Sequence, residues 1–570
     1  MERIKPILFI SIIIFVTAVA FLPSLFNGFV DWDDPFYVTG NDAIRDFSVK
    51  NTTRIFTSGF VGTYCPLAML SYSVEYRLGG LNPFVYHLTN YLMHLFVTFL
   101  VFIFIYFLSQ KADIAFISAI LFGVHPLHVE PVAWIAERKE LLCVIFYLLA
   151  LIAYSIYLKR KRIKYYFFSL LCVILALLSK PMAVTLPVVF VLLDYFYGRK
   201  MDKRSVLEKV PVFALAAIFG FINLYFQTLL GATKLSEGFY FRIYFVSKAV
   251  LFYLSKTLVP VNLSAMYPYY SMSIECPGEG KYYIAALVLL AILVVFSRKF
   301  SRKIIFGSSF FIITILPVLK IVPAGEVFAA DRYMYLPSIG IIYMLAVLFD
   351  RMFCSRTAGI KGMRSVMVLS FSLIVILFSV LTWKRCVIWK DTNTLFGDVI
   401  KKYPDVATPY NQMGLFYAKK GDMDRAIKNF KRALTIKPGS KVTRDNLERA
   451  QRQRRDILDQ GMSSTTGQPY AGRDVSGRVE LLNRSGEEQG KAGDLDKAIS
   501  LFEEAIELDP DHAGSYNNLG YAYYKKGDYK QAEKYFKKTL EVDPKHEKAG
   551  INLDYLYKSG YVVKEGEEIR

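Results

Sequence analysis

Long apolar runs separated by short polar segments make up the first two thirds of the chain. Runs of about 17–22 residues recur between residues 7 and 383, and each is long enough to cross roughly 30 Å of hydrocarbon as a helix. The pattern therefore predicts an all-α, polytopic membrane helix bundle over residues 1–383. We count eleven predicted spans, at residues 8–26, 90–108, 114–133, 140–158, 165–179, 183–198, 210–230, 280–297, 303–321, 335–351 and 365–383.

The polar segments between these runs set the predicted orientation. Four of them are rich in Lys and Arg, at residues 159–164, 198–204, 297–303 and 356–364. Because short basic loops stay in the cytoplasm, we expect a cytoplasmic N-terminus, and an odd number of spans then puts the C-terminal region outside. The apolar segment 241–260 contains three basic residues, so we interpret it as interfacial or re-entrant. A full span there would move the C-terminal region into the cytoplasm.

After residue 383 the pattern becomes charged and helical. Segments 410–438, 482–510 and 516–544 align on a glycine and a closing proline, and the last two begin 34 residues apart. This period predicts tetratricopeptide repeats, which stack into an α-solenoid and bind peptides or partner proteins. The predicted organisation is a membrane domain at 1–383, a connector at 384–406, repeat 1 with a degenerate repeat at 407–460, a flexible insertion at 461–480, tetratricopeptide repeats at 481–556 and a tail at 557–570.

Composition agrees with a membrane protein and excludes one class of function. Hydrophobic residues form 54% of the chain, which is too high for an ordinary soluble protein. The formal net charge is +20, but the basic residues cluster in the short loops rather than on one helix face. We therefore expect no nucleic-acid partner.

Three acids, Asp31, Asp33 and Asp34, surround Trp32 directly after the first apolar run. Adjacent carboxylates beside a membrane repel each other, so at least one pKa is expected to rise toward the range of a general base. The alternative is an interfacial polar cap in which Trp32 anchors the chain at the membrane surface. These residues alone favour the cap.

Four histidines, His87, His94, His125 and His128, lie near the ends of predicted spans. The stretch "HPLHVE" offers His125, His128 and Glu130 as metal ligands, although prolines on both sides of His128 break helical spacing. Histidines hydrogen-bonded beneath a loop are the alternative, which we favour for each one taken singly. The need for a divalent cation is left open.

Cations complete the polar set on the predicted outer side. A phosphate site at a membrane surface needs fixed cations, preferably a planar guanidinium. The alternatives are a solvated turn for "ERKE" and a helix start with interface tyrosines for "ADRYMYLP". The candidates are Arg138, Lys139, Lys180 and Arg332, with Asp331 beside them.

Several stretches in this order resemble one family of enzymes. They are "FVDWDDPFYVTGN", "YCPLAMLSYSVEYRLGGLNPFVYHLTNYLMH", "HPLHVEPVAWIAERKE", "SKPMAVTLP", "PVNLSAMYPY" and "AADRYMYLPSIG", followed by the repeats. Together they are similar to the transmembrane and tetratricopeptide-repeat O-mannosyltransferases and their bacterial relatives, within the C superfamily of membrane glycosyltransferases. The resemblance covers nearly the whole chain and implies the C-superfamily fold.

This resemblance implies transfer of a sugar, mannose or a similar hexose, from a polyprenyl-phosphate carrier to a hydroxyl on the outer face, with inversion at the anomeric carbon. It implies Asp33 as the base and Asp34 as its partner. The phosphate of the donor would meet Arg138, Arg332 and Lys180. The pocket would be shaped by His125, His128, Glu130, His87, Asp331 and Tyr333.

The expected setting is a bacterial inner membrane, with the repeats in the periplasm recruiting an acceptor protein or a partner. The lipid-linked sugar is the donor substrate, and no cofactor is expected beyond it. Two alternatives stay open at this point. One is an enzyme that modifies a lipid or polysaccharide of the envelope, and the other is a non-catalytic scaffold that anchors the repeats. Costly polar groups at membrane depth argue against the scaffold.

Overall fold

The computed structural model describes residues 4–229, 239–269, 283–285, 301–319, 327–353, 362–465 and 475–562. The chain forms two compact units, Met1–Ala450 and Gln451–Arg570. Helices dominate both, so the predicted all-α class is confirmed. Within the described ranges the only sheet is a short antiparallel pair, β1 (Tyr267–Pro268) with β2 (Val327–Ala329).

The first unit contains the membrane helices, the connector and the first repeat. Its helices are α1 (Ile4–Phe21), α2 (Val49–Thr57), α3 (Pro66–Gly79), α4 (Pro83–Ser109), α5 (Ala112–Gly123), α6 (Val129–Ala133), α7 (Arg138–Arg160), α8 (Ile163–Leu177), α9 (Leu186–Phe196), α10 (Lys203–Leu207), α11 (Val210–Leu229), α12 (Phe239–Leu258), α13 (Arg302–Ile315), α14 (Ser338–Phe353), α15 (Met363–Ile388), α16 (Thr392–Lys402), α17 (Ala407–Lys419) and α18 (Met423–Ile436). A last helix of this part, α19 (Lys441–Thr465), continues past Ala450.

The structure confirms that the chain has several helices able to cross a membrane, while the number of spans stays a prediction. In the described part of the chain, five helices are long and apolar enough to cross a membrane: Lys5–Phe26, Pro83–Ser109, Ile135–Arg160, Lys203–Thr228 and Met363–Ile388. Helices Ile163–Leu177 and Pro181–Phe196 are apolar but shorter, and α13 and α14 have 14 and 16 residues. The predicted span 280–297 lies almost entirely outside the described residues.

The predicted span 114–133 is two helices rather than one. Its parts, Ala112–Gly123 and Pro126–Ala133, meet at an angle of 55°. Pro126 has no N–H to continue the helix, and His125 Nδ1 instead accepts a hydrogen bond from Leu127 N at 3.2 Å. A Cβ on Gly123, the last residue of α5, would overlap Thr17 of α1 and Thr98 of α4. Glycine at this position therefore allows α5 to pack closely against both helices.

The apolar core of the first unit extends beyond the predicted membrane domain. Trp389, Leu395, Phe396 and Val406, all from the segment predicted as a connector, are buried in the same core as the membrane helices. The boundary of the first unit, at Ala450, therefore lies well after residue 383.

The described part of the second unit contains two helix pairs and one further helix. The first pair is α20 (Val475–Ala492) and α21 (Leu495–Leu508), the second pair is α22 (Ala513–Lys526) and α23 (Tyr529–Val542), and the last helix is α24 (Glu547–Lys558). A Cβ on Gly486 would overlap the ring of Phe502, and Gly520 has the same relation to Phe536, so the repeat glycines allow paired helices to approach. Of the predicted flexible insertion 461–480, residues 466–474 lie outside the described residues, as do residues 563–570 of the tail.

Candidate functional site

Three cations from separate elements surround one carboxylate, Glu137. This residue ends a single turn, Ile135–Glu137, directly before α7. Its Oε1 lies 3.2 Å from Lys139 Nζ and 3.3 Å from Arg332 Nε, and its Oε2 lies 3.4 Å from Lys180 Nζ. Lys180 precedes the turn Pro181–Thr185, and Arg332 belongs to the turn Asp331–Met334. We call Glu137, Lys139, Lys180 and Arg332 the charge cluster.

Two further carboxylates fix the orientation of these cations. Glu130 forms a salt bridge with Arg332 and also accepts a hydrogen bond from the Arg332 backbone N at 3.0 Å. Glu140 forms a salt bridge with Lys180. The side chains of Arg332 and Lys180 nevertheless remain 15% and 11% exposed, so neither is completely enclosed.

Asp33 lies beside the charge cluster. Among the described residues its half-buried carboxylate forms no side-chain hydrogen bond and no salt bridge. Burial raises its pKa, while the charges of Lys139 and Arg332 lower it and that of Glu137 raises it. The effect of burial is the largest of these, so the pKa of Asp33 is raised and its carboxylate can accept a proton.

Asp34 is buried and both of its oxygens are occupied. Oδ2 accepts a hydrogen bond from Val30 N at 2.8 Å, and Oδ1 accepts one from Ala136 N at 3.0 Å. Burial raises the pKa of Asp34 to about 7, although the two backbone N–H groups oppose this. The predicted partner of Asp33 therefore ties the first loop to the turn that carries Glu137, and it does not face an acceptor.

Arg138 does not join the charge cluster, although both of its neighbours do. Its fully buried guanidinium forms a salt bridge with Glu75 and donates to Asn90 Oδ1 and Tyr86 O, both at 2.8 Å. It also lies over the Tyr72 ring, 4.6 Å from the centroid. Of the three predicted phosphate ligands, Lys180 and Arg332 thus lie together in the charge cluster. Arg138 is instead held in a separate, buried set of contacts.

All four histidines are buried. Each ring contacts a backbone carbonyl: His87 that of Gly28 at 3.3 Å, His94 that of Gly123 at 3.0 Å, His125 that of Thr257 at 3.0 Å and His128 that of Phe122 at 2.8 Å. Across the described residues there is no group of three or more His, Cys, Asp or Glu side chains that could hold a metal ion. These contacts fit histidines that support the loops, and a pocket role for His87, His125 and His128 stays a prediction.

Asp331 and Tyr333 lie on either side of Arg332 in the chain but occupy different places. Asp331 is buried, and its Oδ1 accepts a hydrogen bond from Tyr267 OH at 2.7 Å. Burial and the nearby Glu130 raise the pKa of Asp331 to about 7. The Tyr333 ring centroid lies 4.9 Å from the Arg332 guanidinium and 5.9 Å from Lys180 Nζ. Tyr333 therefore borders the charge cluster, whereas Asp331 supports it from behind.

Stacked tryptophans hold the loop that carries Asp33. Trp32 stacks on Trp134 with centroids 4.7 Å apart, and Trp134 stacks on Trp389 at 5.5 Å. The guanidinium of Arg332 lies 5.4 Å from the Trp134 ring. The stack therefore links the first loop, the charge cluster and the end of α15.

The first repeat contacts the same loop. Asp31 N donates a hydrogen bond to Thr392 Oγ1 at 2.8 Å, and the Asp31 carboxylate forms a salt bridge with Lys419 of α17. Gly28 N also donates to Lys390 O at 2.8 Å. Within the first unit, the segment around Asp33 is thus attached to both the connector and the first repeat.

The sequence did not single out Glu137, and it placed Lys139 among the candidate cations without assigning it to the phosphate of the donor. A signal was present in "ERKE", because a carboxylate flanked by cations at the start of an apolar run must be paired to be tolerated there. The spacing alone does not show which of Arg138 and Lys139 turns toward Glu137.

An apolar cavity of about 780 Å³ lies elsewhere in the first unit, between α1, α5, α14 and α15. Its lining includes Phe9, Phe116 and Phe371 and none of the charge-cluster residues. This cavity is therefore separate from the candidate site.

Comparison with known proteins identifies the relatives of the chain. Family models described as tetratricopeptide repeat match residues 407–440 and 491–550, which confirms the predicted repeats. The protein O-mannosyl-transferase F38B6.6 of Caenorhabditis elegans is 26% identical over 75% of this chain and 62% of its own length. The curated relatives are protein O-mannosyl-transferases. The resemblance carried by the sequence motifs is thus confirmed.

Two further matches are a second protein O-mannosyl-transferase and a solved structure. The protein O-mannosyl-transferase TMTC3 of Homo sapiens is 24% identical over 90% of this chain and 61% of its own length. The chain therefore spans about 60% of the length of these curated relatives. A crystal structure of the Archaeoglobus fulgidus oligosaccharyltransferase tethered with an acceptor peptide is 12% identical, covers 68% of this chain and 55% of that chain, and has a TM-score of 0.37, which is too low to support a shared fold.

Proposed function

We propose that the chain is a membrane glycosyltransferase that transfers mannose or a similar hexose from a polyprenyl-phosphate carrier to a hydroxyl of an acceptor protein. The observation that carries this proposal is the Asp33 carboxylate, which has no side-chain partner among the described residues and lies beside a fixed set of partly exposed cations. The relatives named as protein O-mannosyl-transferases support the sugar and the class of acceptor.

In the proposed reaction Asp33 removes the proton from the acceptor hydroxyl. The acceptor oxygen attacks the anomeric carbon from the face opposite the phosphate, and a new carbon–oxygen bond forms with inversion. The bond between the anomeric carbon and the phosphate oxygen breaks, and the polyprenyl phosphate leaves with the electron pair. Because the leaving group is a stabilised anion, the enzyme needs a base and positive charge rather than a bound nucleotide.

Arg332 and Lys180 supply the positive charge in this reaction, together with Lys139. Their carboxylate partners hold them in place before the donor binds, so little reorganisation is needed when charge develops on the phosphate. Arg332 presents a planar fork of donors that matches phosphate oxygens. Asp34 acts as a positioning residue, because it joins the loop of Asp33 to the turn of Glu137.

The first repeat suits a role in delivering the acceptor. Lys419 of α17 contacts Asp31, two residues before Asp33, so a polypeptide held by this repeat would be close to the base. The basic segments 159–164 and 199–204 lie at the end of α7 that is opposite Glu137. Because short basic loops stay in the cytoplasm, this arrangement supports a site on the outer, periplasmic side. A bacterial inner membrane is the proposed location.

The test is complementation of a deletion strain with the wild-type chain, Asp33→Asn and a control, Asp42→Asn. Asp42 is an exposed acid of the same loop, and no hydrogen bond to its side chain is seen among the described residues. Glycoproteomics should show hexose-modified peptides with the wild type and Asp42→Asn but not with Asp33→Asn. With purified protein and polyprenyl-phosphate mannose, we expect the substitution of the base to lower the transfer rate by about 10²–10⁴-fold.

Other outcomes would change or overturn the proposal. Unchanged peptide glycosylation in a strain that expresses Asp33→Asn at the wild-type level would reject Asp33 as the base. Loss of hexose only from envelope lipid or polysaccharide would reject a protein acceptor and favour the alternative acceptor.

A further inference from the structure

Many of the cations outside the charge cluster lie near the C-terminal end of α7, opposite the end that follows Glu137. That helix has 23 residues, so its two ends are separated by roughly 33 Å. The segments 159–164 and 199–204 meet there. Glu208 connects the second segment to the end of α7, because it forms a salt bridge with Arg199 at 2.6 Å and accepts a hydrogen bond from Tyr157 OH, just before the first segment, at 2.6 Å.

A closed polar network holds this junction in shape. Tyr166 OH, from α8, donates to Glu208 O at 2.7 Å. Behind it, the buried Asp194 forms a salt bridge with Lys209 and accepts hydrogen bonds from Tyr154 OH at 2.7 Å and Ser205 Oγ at 2.9 Å. The two basic segments are therefore presented by a fixed framework.

The surface of the junction is strongly cationic. Lys159 is exposed and donates a hydrogen bond to Phe107 O at 3.3 Å. The other exposed cations of the two segments, which we call the basic patch, are Arg160, Lys161, Arg162, Lys164, Lys200, Lys203 and Arg204. Within these two described segments Asp202 is the only exposed acid, and its Oδ1 accepts a hydrogen bond from Ser205 N at 2.7 Å. Arg204 pairs with Glu208 at 3.2 Å but remains 73% exposed.

Exposed apolar side chains are interleaved with the basic patch. Ile163 is 55% exposed, Met201 59%, Val206 51% and Leu207 68%. A surface that meets only water or a soluble polyanion gains nothing from such side chains. Cations mixed with apolar side chains at the end of a membrane helix instead suit the boundary between lipid headgroups and acyl chains.

We propose that the basic patch is a binding surface for the phosphate headgroups of anionic phospholipids, with Ile163, Met201, Val206 and Leu207 inserted among the adjoining acyl chains. This inference does not depend on the proposed enzymatic function. Each cation close to an anionic membrane surface increases binding on the order of fivefold. Seven cations on a fixed framework therefore favour anionic over zwitterionic lipids.

The test compares the full-length wild type with two fourfold variants, all purified in a neutral detergent. One variant carries Arg162→Gln, Lys164→Gln, Lys200→Gln and Lys203→Gln. The control variant loses the same charge from exposed lysines of the second unit, through Lys525→Gln, Lys530→Gln, Lys545→Gln and Lys548→Gln. Native mass spectrometry counts the phosphatidylglycerol or phosphatidylcholine molecules that each protein retains.

We expect the wild type and the control variant to retain phosphatidylglycerol at least about tenfold better than phosphatidylcholine, and the patch variant to lose most of this preference. Thermal unfolding of the patch variant at the wild-type temperature would show that the loss is not a folding defect. Equal retention of both lipids by the wild type, or equal loss in both variants, would overturn the proposal. Displacement of the lipid by millimolar inorganic phosphate would show a site for the free ion and would overturn it as well.

Discussion

The two ends of α7 each bury a network of charges, but the networks differ in one respect. At the C-terminal end Asp194 is fully buried, Lys209 is 4% exposed, and both oxygens of Asp194 are hydrogen-bonded. At the N-terminal end the carboxylate of Asp33 has no hydrogen bond or salt bridge among the described residues, and Arg332 and Lys180 keep part of their surface exposed. A closed network holds helices together, whereas an open one leaves charge available to a substrate.

The largest predicted effect comes from breaking the closed network. Lys209→Met removes the nearer of the two cations that pair with Asp194 and leaves this buried carboxylate only Arg199, whose Nη1 is 3.9 Å away. We expect the free energy of unfolding to fall by about 3–5 kcal/mol. Denaturant titration of the detergent-solubilised protein measures this change. Lys203→Met, at an exposed site nearby, is the control and should leave the free energy of unfolding nearly unchanged; equal values for the two variants would contradict a closed network.

Substitution of the two adjacent acids separates structure from chemistry. In Asp34→Asn one backbone N–H, from Val30 or Ala136, would face an amide NH₂ instead of a carboxylate oxygen. We expect a loss of about 1–3 kcal/mol in the free energy of unfolding. Asp33→Asn removes no side-chain hydrogen bond that is seen in the described part of the chain, and it should change the free energy of unfolding by less than about 0.5 kcal/mol. Comparable losses of stability in both variants would argue against an open network at Asp33.

The pH dependence of transfer tests the coupling between Asp33 and the charge cluster. A base must be ionised, so activity should fall as the pH drops through the raised pKa of Asp33. Lys139 is the charged neighbour that lowers this pKa most. In Lys139→Met the pKa of Asp33 should rise further, and the acid limb of the pH–rate profile should move to higher pH. The same limb should stay in place in Lys203→Met, and an unmoved limb in Lys139→Met would exclude the coupling.

The smallest predicted effect lies at the rim of the closed network. Arg204 pairs with Glu208 but is 73% exposed, so solvent and salt screen the interaction. We expect Arg204→Gln to lower the free energy of unfolding by less than about 1 kcal/mol. Added salt should reduce the difference from the wild type. A loss as large as that of Lys209→Met would place Arg204 inside the network rather than at its rim.

Part of the candidate site could be predicted because buried charges are rare at membrane depth. Asp33, Lys180 and Arg332 each stand at the end of an apolar run, which marked them in the sequence, and the structure brings all three close to Glu137. Lys139 and Arg138 could not be separated in this way. Consecutive residues on a helix point about 100° apart, and which one faces Glu137 depends on how α7 packs.

The fold, like the site, could be predicted only in part from the sequence. The period of the repeats fixes their helix pairs locally, and two matched segments at 407–440 and 491–550 agree with the prediction. Apolar runs predict membrane helices equally well, and Pro126 marks where one of these helices breaks. The run does not give the 55° angle between the two parts, which accompanies the close packing of Gly123 against Thr17 and Thr98.

The stacked tryptophans give the protein an optical signal of its own. The chain contains four tryptophans, and three of them, Trp32, Trp134 and Trp389, form the stack beside Arg332. The fourth, Trp383, is 42% exposed. Tryptophan fluorescence, excited selectively over that of the 39 tyrosines, therefore originates mainly beside the candidate site, and in a Trp383→Phe background all of it does. Docking of a lipid-linked sugar or an acceptor peptide near Asp33 could then be followed as a change in emission, without any attached dye.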